Sequence, residues 1–149
     1  MHAALFAYGT LMCADIMEAV VGAQCAGVPA TLRDYRRLAV KGARYPGLVA
    51  HVGGVVDGTL YRGLPAAAWT RLDAFEGEMY RRERVCVDLS DGACVKTWTY
   101  VVKSEYAHVL EPREWNLAQF LQSGKAEFVD GYLGFGRAGG GSDELRASE

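Results

Sequence analysis

A carboxylate standing where an apolar side chain belongs restricts what the middle of this chain can build. From Pro65 run Ala66, Ala67, Ala68, Trp69, Arg71, Leu72 and Ala74, good helix formers with no breaker before Gly77. On a helix, Trp69, Leu72 and Glu76 fall at i, i+3 and i+7 and share one face. Trp69 and Leu72 make it the packing face, so Glu76 continues an apolar stripe. A carboxylate there must find a partner, raise its pKa, or look into a pocket. Gly77 stops the helix, and Tyr80 opens a strand-like run through Val85-Cys86-Val87, which sets Glu76 at a helix end on the edge of a cleft. The plain alternative is a solvated glutamate at a helix C-terminus, and this stretch alone leaves the two open.

The 149 residues, half of them hydrophobic, suffice for one domain with its own core. The expected domain is 1–137, followed by a flexible tail, 138–149, that opens with Ala138-Gly139-Gly140-Gly141-Ser142. Net charge is -2 with the signs interspersed and no Lys/Arg block. Nucleic acid and anionic membranes are therefore not expected partners. Met1 to Phe6 has no basic region and only a short apolar run, which reads as a first strand and not as a signal peptide. No apolar stretch approaches a membrane span, so the expectation is a soluble, cytoplasmic protein.

Cys13, Cys25, Cys86 and Cys94 are widely spaced, with no C-x-x-C and no His at ligand spacing. No residue cluster calls for a metal or a cofactor. With Asp91-Gly92 as a two-residue hairpin loop, Leu89 opposes Cys94 and Cys86 opposes Thr97, a register that does not pair the two cysteines. Free, mostly buried thiols fit a reducing compartment.

Along the chain, Ala3 to Tyr8 reads as a buried strand and Cys13 to Val21 as a helix ended by Gly22. Gln24 to Val40 alternates, with strand and turn at Leu32 to Tyr35. Arg44-Tyr45-Pro46-Gly47 is expected to be a loop, because Pro and Gly forbid a continuing ladder. Leu48 to Val52 and Val55 to Tyr61 read as a hairpin around Gly53-Gly54. Strands at Tyr80 to Leu89 and Ala93 to Val102 follow, then a helix from Pro112 to Gln122 and a short element around Phe128, Tyr132 and Phe135. Many strands around few helices indicate an α+β domain whose sheet curls into a small barrel.

Four segments offer site material. Tyr8-Gly9-Thr10-Leu11 lies between a buried strand and a helix, where the amides of Gly9, Thr10 and Leu11 can converge on an anion or oxyanion. Arg44 to Gly47 is a stiff loop whose Tyr45 can line a cavity. Gly58-Thr59-Leu60-Tyr61 has a strand glycine that marks close backbone approach or a bulge. The fourth is the Glu76 stretch. Singly, the first two are most often a plain connection and a plain turn.

In combination, Phe6-Ala7-Tyr8-Gly9-Thr10-Leu11, Tyr45-Pro46-Gly47-Leu48-Val49, Gly58-Thr59-Leu60-Tyr61 and Leu72 to Arg81 resemble the γ-glutamylcyclotransferase-like superfamily. The likeness is nearest to its avirulence-induced-gene-like and γ-glutamylamine cyclotransferase branches, and it runs from Leu5 to about Val102. The resemblance implies a small mixed β-barrel with flanking helices and one cavity. It implies a cofactor-independent enzyme that cyclises the glutamyl part of a small γ-glutamyl amide to 5-oxoproline and releases an amine. By the same carry-over, Tyr8, Gly9, Thr10 and Leu11 hold the glutamyl end of the substrate, and Glu76 is the catalytic acid/base.

The residues suit that chemistry. The nucleophile is the substrate's own α-amine, so no Ser, Cys or His nucleophile is needed, and His2, His51 and His108 sit in no recognisable constellation. A carboxylate whose pKa is raised by Trp69 and Leu72 can take the ammonium proton and return one to the leaving amine. Tyr45 and Tyr80 are second-rank hydrogen-bond donors. Asp73, one turn before Glu76, either repels it or is solvated on the helix side, while Glu78, Arg81 and Arg82 read as surface charges. Two other readings stay open: a metabolite-binding or interaction module on the same scaffold, and an amide hydrolase in which Glu76 activates water.

Overall fold

The computed structural model describes residues 3–130. β1 (Ala3–Ala7) leads through a 3-10 turn (Thr10–Met12) into α1 (Ala14–Val21). The long strands β2 (Gly27–Val40) and β3 (Pro46–Leu64) follow, then α2 (Ala66–Glu76), β4 (Tyr80–Leu89) and β5 (Cys94–Val102). A second 3-10 turn (Ser104–Val109) precedes β6 (Leu110–Glu114). The described chain then closes with α3 (Leu117–Gln119), a π-helical turn (Phe120–Gly124) and α4 (Lys125–Phe128). The strands run in the order β3-β1-β5-β4-β2, and β2 pairs back onto β3. That pairing closes a five-stranded barrel, with β6 added on β2. Only the β1–β5 pair is parallel among the described strands, with Leu5 opposite Trp98. The result is the α+β, mixed-barrel architecture expected.

Closure explains why β1 is apolar throughout rather than alternating. Phe6 faces the inner cluster, where Leu32, Leu48, Val56, Leu60, Val87 and Val101 meet from the other four strands. Leu5 and Ala7 belong instead to the outer cluster with Ile16 and Met17 of α1 and Trp69, Leu72 and Phe75 of α2. A strand covered on both faces has no polar side to show.

Several local expectations are corrected. Gly53-Gly54 does not turn a hairpin. It is a bulge within β3, where Arg33 pairs Val55 and Tyr35 pairs Ala50, so that residues 51–54 stand opposite Asp34. Asp34 and Gly53 both take left-handed backbone (φ 68 and 87), and the Gly53 N–H donates to Asp34 Oδ1 at 3.0 Å. Pro46 and Gly47 are in the ladder, opposite Ala39 and Leu38; Pro46 is the first residue of its strand, where a missing N–H is tolerated. Pro112 lies in β6 and starts no helix; the helical turn begins after Asn116, whose side chain caps it by accepting from the Gln119 N–H at 2.9 Å.

The β4–β5 loop holds three residues, Ser90-Asp91-Gly92, with Gly92 at φ 90 and the Leu89 N–H donating to Ala93 O. The register is therefore one residue off the expected one: Asp88 pairs Cys94 and Cys86 pairs Lys96. Cys86 and Cys94 are exposed, Cys25 is half-buried and only Cys13 is buried, against the expectation of mostly buried thiols. Phe128 lies buried in α4, inside the stretch where a short element was expected, whereas Tyr132, Phe135 and the expected tail lie outside the described residues. Among the described residues no helix is long and apolar enough to cross a membrane.

Gly58 marks a close backbone approach in the barrel. A Cβ built there meets the Ala7 carbonyl oxygen and sits 2.6 Å from the Phe6 ring. Gly58→Ala should therefore destabilise the fold by about 1–3 kcal/mol, the usual cost of overpacking. The midpoint of urea unfolding measures it, and an unchanged midpoint contradicts the contact.

Candidate active site

The chain leaves the barrel at the end of β1, and a pocket opens there whose empty space, part of it continuous with solvent, is about 500 Å³. Tyr8, Gly9, Thr10 and Leu11 form one wall, directly after β1. Tyr45 and Pro46 come from the entry to β3, Phe75 and Glu76 from the last turn of α2, Tyr80 from the start of β4, Tyr100 from β5 and Phe128 from α4. All seven residues singled out in the sequence thus line one cavity.

The wall at residues 8–11 is built by close packing. A Cβ on Gly9 would sit 2.7 Å from both Pro46 Cδ and Cγ, so only glycine lets the two loops meet. The turn's own bonds run from the Met12 N–H to Gly9 O (2.9 Å) and from the Cys13 N–H to Thr10 O (3.1 Å). The Thr10 and Leu11 N–H groups consequently have no acceptor inside the turn.

The carbonyls left behind are held by side chains. Tyr61 OH donates to Leu11 O at 2.7 Å, Thr99 Oγ1 to Phe6 O at 2.9 Å, and Arg37 Nη1 to Tyr8 O at 2.8 Å. Arg37 reaches this position from β2, lies 5.4 Å from the Trp115 ring, and also donates to Asp57 O at 3.2 Å. Its Nε is buried without a hydrogen-bond partner among the described residues, and burial pulls its pKa down. Nothing in the sequence pointed to Arg37, because an arginine in the charged run Arg33-Asp34-Tyr35-Arg36-Arg37 looks like a solvated one.

Three of the four phenols that line the cavity donate to groups of the protein itself. Tyr8 OH donates to Tyr100 O and Tyr80 OH to Pro46 O, each at 2.7 Å, and Tyr100 OH donates to Asp73 Oδ1 at 2.6 Å. Each hydroxyl has one proton, so Tyr80 brings to the cavity its ring and its oxygen lone pairs. Burial pushes the Tyr8 and Tyr100 hydroxyls well above the ordinary tyrosine range. Tyr100, Phe75 and Phe128 carry no sequence signal of their own: Tyr100 sits in a regular alternating strand, and Phe128 arrives from the far end of the chain.

Glu76 is the one charged side chain among the described lining residues. It is half-buried, and its pKa is raised from 4.5 to about 8, by burial first and then by the negative charge of Asp73. Of the alternatives for the helix stripe, the structure realises the pocket-facing one.

A closed mixed β-barrel around an apolar core, with flanking helices and an acid-bearing pocket where its first strand ends, is the class that the fold and the site define. The family model described as γ-glutamyl cyclotransferase, AIG2-like, matches residues 5–117, and the chain belongs to that family. AIG2-like protein A of Arabidopsis thaliana is 29% identical over 129 residues, covering 85% of this chain and 76% of that protein. A solution structure from Arabidopsis thaliana superposes with a TM-score of 0.67 at 26% identity, covering 87% of both chains. A structure titled γ-glutamyl cyclotransferase shares the fold, with a TM-score of 0.62 at 18% identity over 69% of this chain and 68% of that one.

A carboxyl whose folded pKa is raised binds its proton more tightly in the native state than in the unfolded chain. Stability then falls as pH rises from about 4.5 to about 8, and stays lowered above that. Glu76→Gln removes the ionisation, so its melting temperature should exceed that of wild type by more at high pH than at low pH. Thermal melts of both proteins on either side of that window measure the difference. A gap that does not depend on pH contradicts the raised pKa.

Proposed function

We propose that this chain is a γ-glutamyl cyclotransferase-type enzyme acting on a small γ-glutamyl amide, with Glu76 moving the proton. The observation that carries the reading is the placement of Glu76: a carboxyl held near neutrality by burial, in an otherwise uncharged cavity, beside the turn at residues 9–11.

In the proposed reaction the substrate's α-ammonium gives a proton to the Glu76 carboxylate. The free amine attacks the γ-carbonyl carbon, a C–N bond forms, and the carbonyl oxygen takes the negative charge. Backbone N–H groups of Thr10 and Leu11 face that oxyanion, each such donor being worth about 3 kcal/mol in related sites. Collapse of the intermediate breaks the amide C–N bond as Glu76 returns its proton to the departing nitrogen. The second proton of the ring nitrogen then passes through the Glu76 carboxylate to the released amine, which leaves as the ammonium. The products are 5-oxoproline and the amine, and the carboxylate is regenerated. Because the attack is intramolecular, folding the substrate into the attacking shape supplies much of the rate, up to ~7–11 kcal/mol. The aromatic wall of Phe75, Tyr45, Tyr80 and Phe128 provides the shape.

Mass-spectrometric detection of 5-oxoproline from a panel of γ-glutamyl amides tests the reaction. Wild type should form it, and Glu76→Gln should lose about 10²–10⁴ in kcat, the usual worth of a general acid/base. Free glutamate in its place identifies an amide hydrolase. A ligand-induced rise in melting temperature without product identifies a binding module.

The pH profile gives a second check. For the free enzyme, kcat/KM should rise with pH to a midpoint near 8, where Glu76 loses its proton. The midpoint for kcat should lie lower, since a bound α-ammonium favours the carboxylate. A flat profile across that range removes Glu76 from the proton transfer.

A further inference from the structure

A network on the outside of α2 reaches Glu76 from the protein surface. Asp73 stands one turn before Glu76, with 46% of its side chain exposed. Its Oδ1 accepts the hydrogen bond from Tyr100 OH at 2.6 Å and lies 3.1 Å from Arg82 Nε. Arg82 is itself fixed, its guanidinium 5.0 Å from the Trp69 ring and 5.6 Å from the Trp98 ring. One carboxylate oxygen thus ties together α2, β4 and β5.

An exposed ion pair contributes little to stability, and holding an aspartate and an arginine in one geometry costs side-chain entropy. The consequence of the arrangement lies inside the cavity. Tyr100 lines it together with Glu76, and the charge of Glu76 is felt at the Tyr100 hydroxyl. With its single proton given to Asp73, Tyr100 cannot donate to Glu76. Asp73 therefore withholds the donor that would stabilise the Glu76 carboxylate, and adds a negative charge of its own.

We propose that Asp73, restrained by Arg82, is a positioning residue that sets the proton affinity of Glu76: Asp73 raises it and Arg82 offsets part of the rise. The other groups facing Glu76 are phenols: Tyr8 after β1, Tyr45 before β3, Tyr80 on β4 and Tyr100 on β5. Phe128 of α4 is uncharged, and no Lys or Arg lines the cavity among the described residues. Asp73 is the charge that acts on Glu76. In the proposed cyclotransferase the pair fixes the pH at which catalysis switches on, and that consequence alone rests on the functional reading.

The test needs no substrate. Carbon-13 NMR of the glutamate carboxyls in the full chain, with Glu76 assigned by the signal lost in Glu76→Gln, gives its titration midpoint directly. Asp73→Asn keeps an oxygen for Tyr100 to bond and removes the charge, so the midpoint should fall by roughly one pH unit. Arg82→Gln should move it up, and Arg82→Lys should leave it at the wild-type value. Shifts of opposite sign cannot come from a general loosening of the site, which would move both variants the same way. An unmoved midpoint in Asp73→Asn, or the same direction in both variants, overturns the proposal. Should Asp73→Asn fail to fold, Arg82→Gln decides alone: a higher midpoint supports the pair and an unchanged one overturns it. Opposite shifts in a protein that forms no 5-oxoproline would sink the reaction and leave the Asp73–Arg82 assignment standing.

Discussion

Buried carbonyl groups at the barrel mouth are the constraint on which the site depends. Where the chain leaves β1, and where it enters β3, backbone oxygens accept hydrogen bonds from side chains, and not only from a neighbouring strand. Such groups must be paired or they cost about 1–3 kcal/mol each. Thr99, Arg37, Tyr61 and Tyr80 supply the pairing to Phe6, Tyr8, Leu11 and Pro46 in turn, and Tyr8 returns the favour to Tyr100. These bonds join segments up to 93 positions apart in the chain. They hold the turn at residues 8–11 against the start of β3, with Pro46 resting on Gly9. A cavity results because that turn and α2 are each fixed independently and do not collapse onto one another.

The same bonds explain the chemical character of the cavity. Tyrosine is suited to such positions because its ring packs in an apolar wall while its hydroxyl reaches a polar partner at the edge. Once Tyr8, Tyr80 and Tyr100 have committed their protons to Tyr100 O, Pro46 O and Asp73 in turn, these three present rings and lone pairs. A carboxylate in that surrounding receives none of those three protons. Burial first, and the charge of Asp73 second, raise the pKa of Glu76.

Much of this was legible in the sequence, for an identifiable reason. The α2 stripe, the Gly77 stop and the strand from Tyr80 are local patterns, and local patterns need no knowledge of the partner. Glu76 stood out because it broke a periodicity that its neighbours kept. What could not be read depended on pairing at a distance. Gly53-Gly54 carries a hairpin's composition, but Tyr35 and Asp34 of β2 lie alongside and turn it into a bulge. Pro112 has the form of a helix start, yet Leu38 and Val40 of β2 offer an edge that draws residues 110–114 into the sheet. The β4–β5 register slipped by one because the Leu89–Ala93 bond makes a three-residue loop, a choice that the Asp-Gly pair leaves open. Arg37 and Tyr100 were missed for the same cause: each is ordinary in its own strand and significant only through a residue elsewhere.

A buried acid at a helix end weakens the fold wherever it ionises, and a more stable chain would carry leucine or glutamine there. In the proposed reaction the acid's proton is the one transferred, and the destabilisation appears in the pH range where the group changes charge. The rest of the pocket is consistent with that economy. An intramolecular cyclisation needs no nucleophile from the protein and no electron sink. What it needs is a wall that folds the substrate, a donor for one oxygen and a group that can exchange a proton near neutrality. An aromatic wall, a glycine turn whose first N–H groups have no acceptor inside the turn and one destabilised carboxyl suit those requirements. The carbonyl network that holds those elements apart is what keeps the acid dry enough to do so.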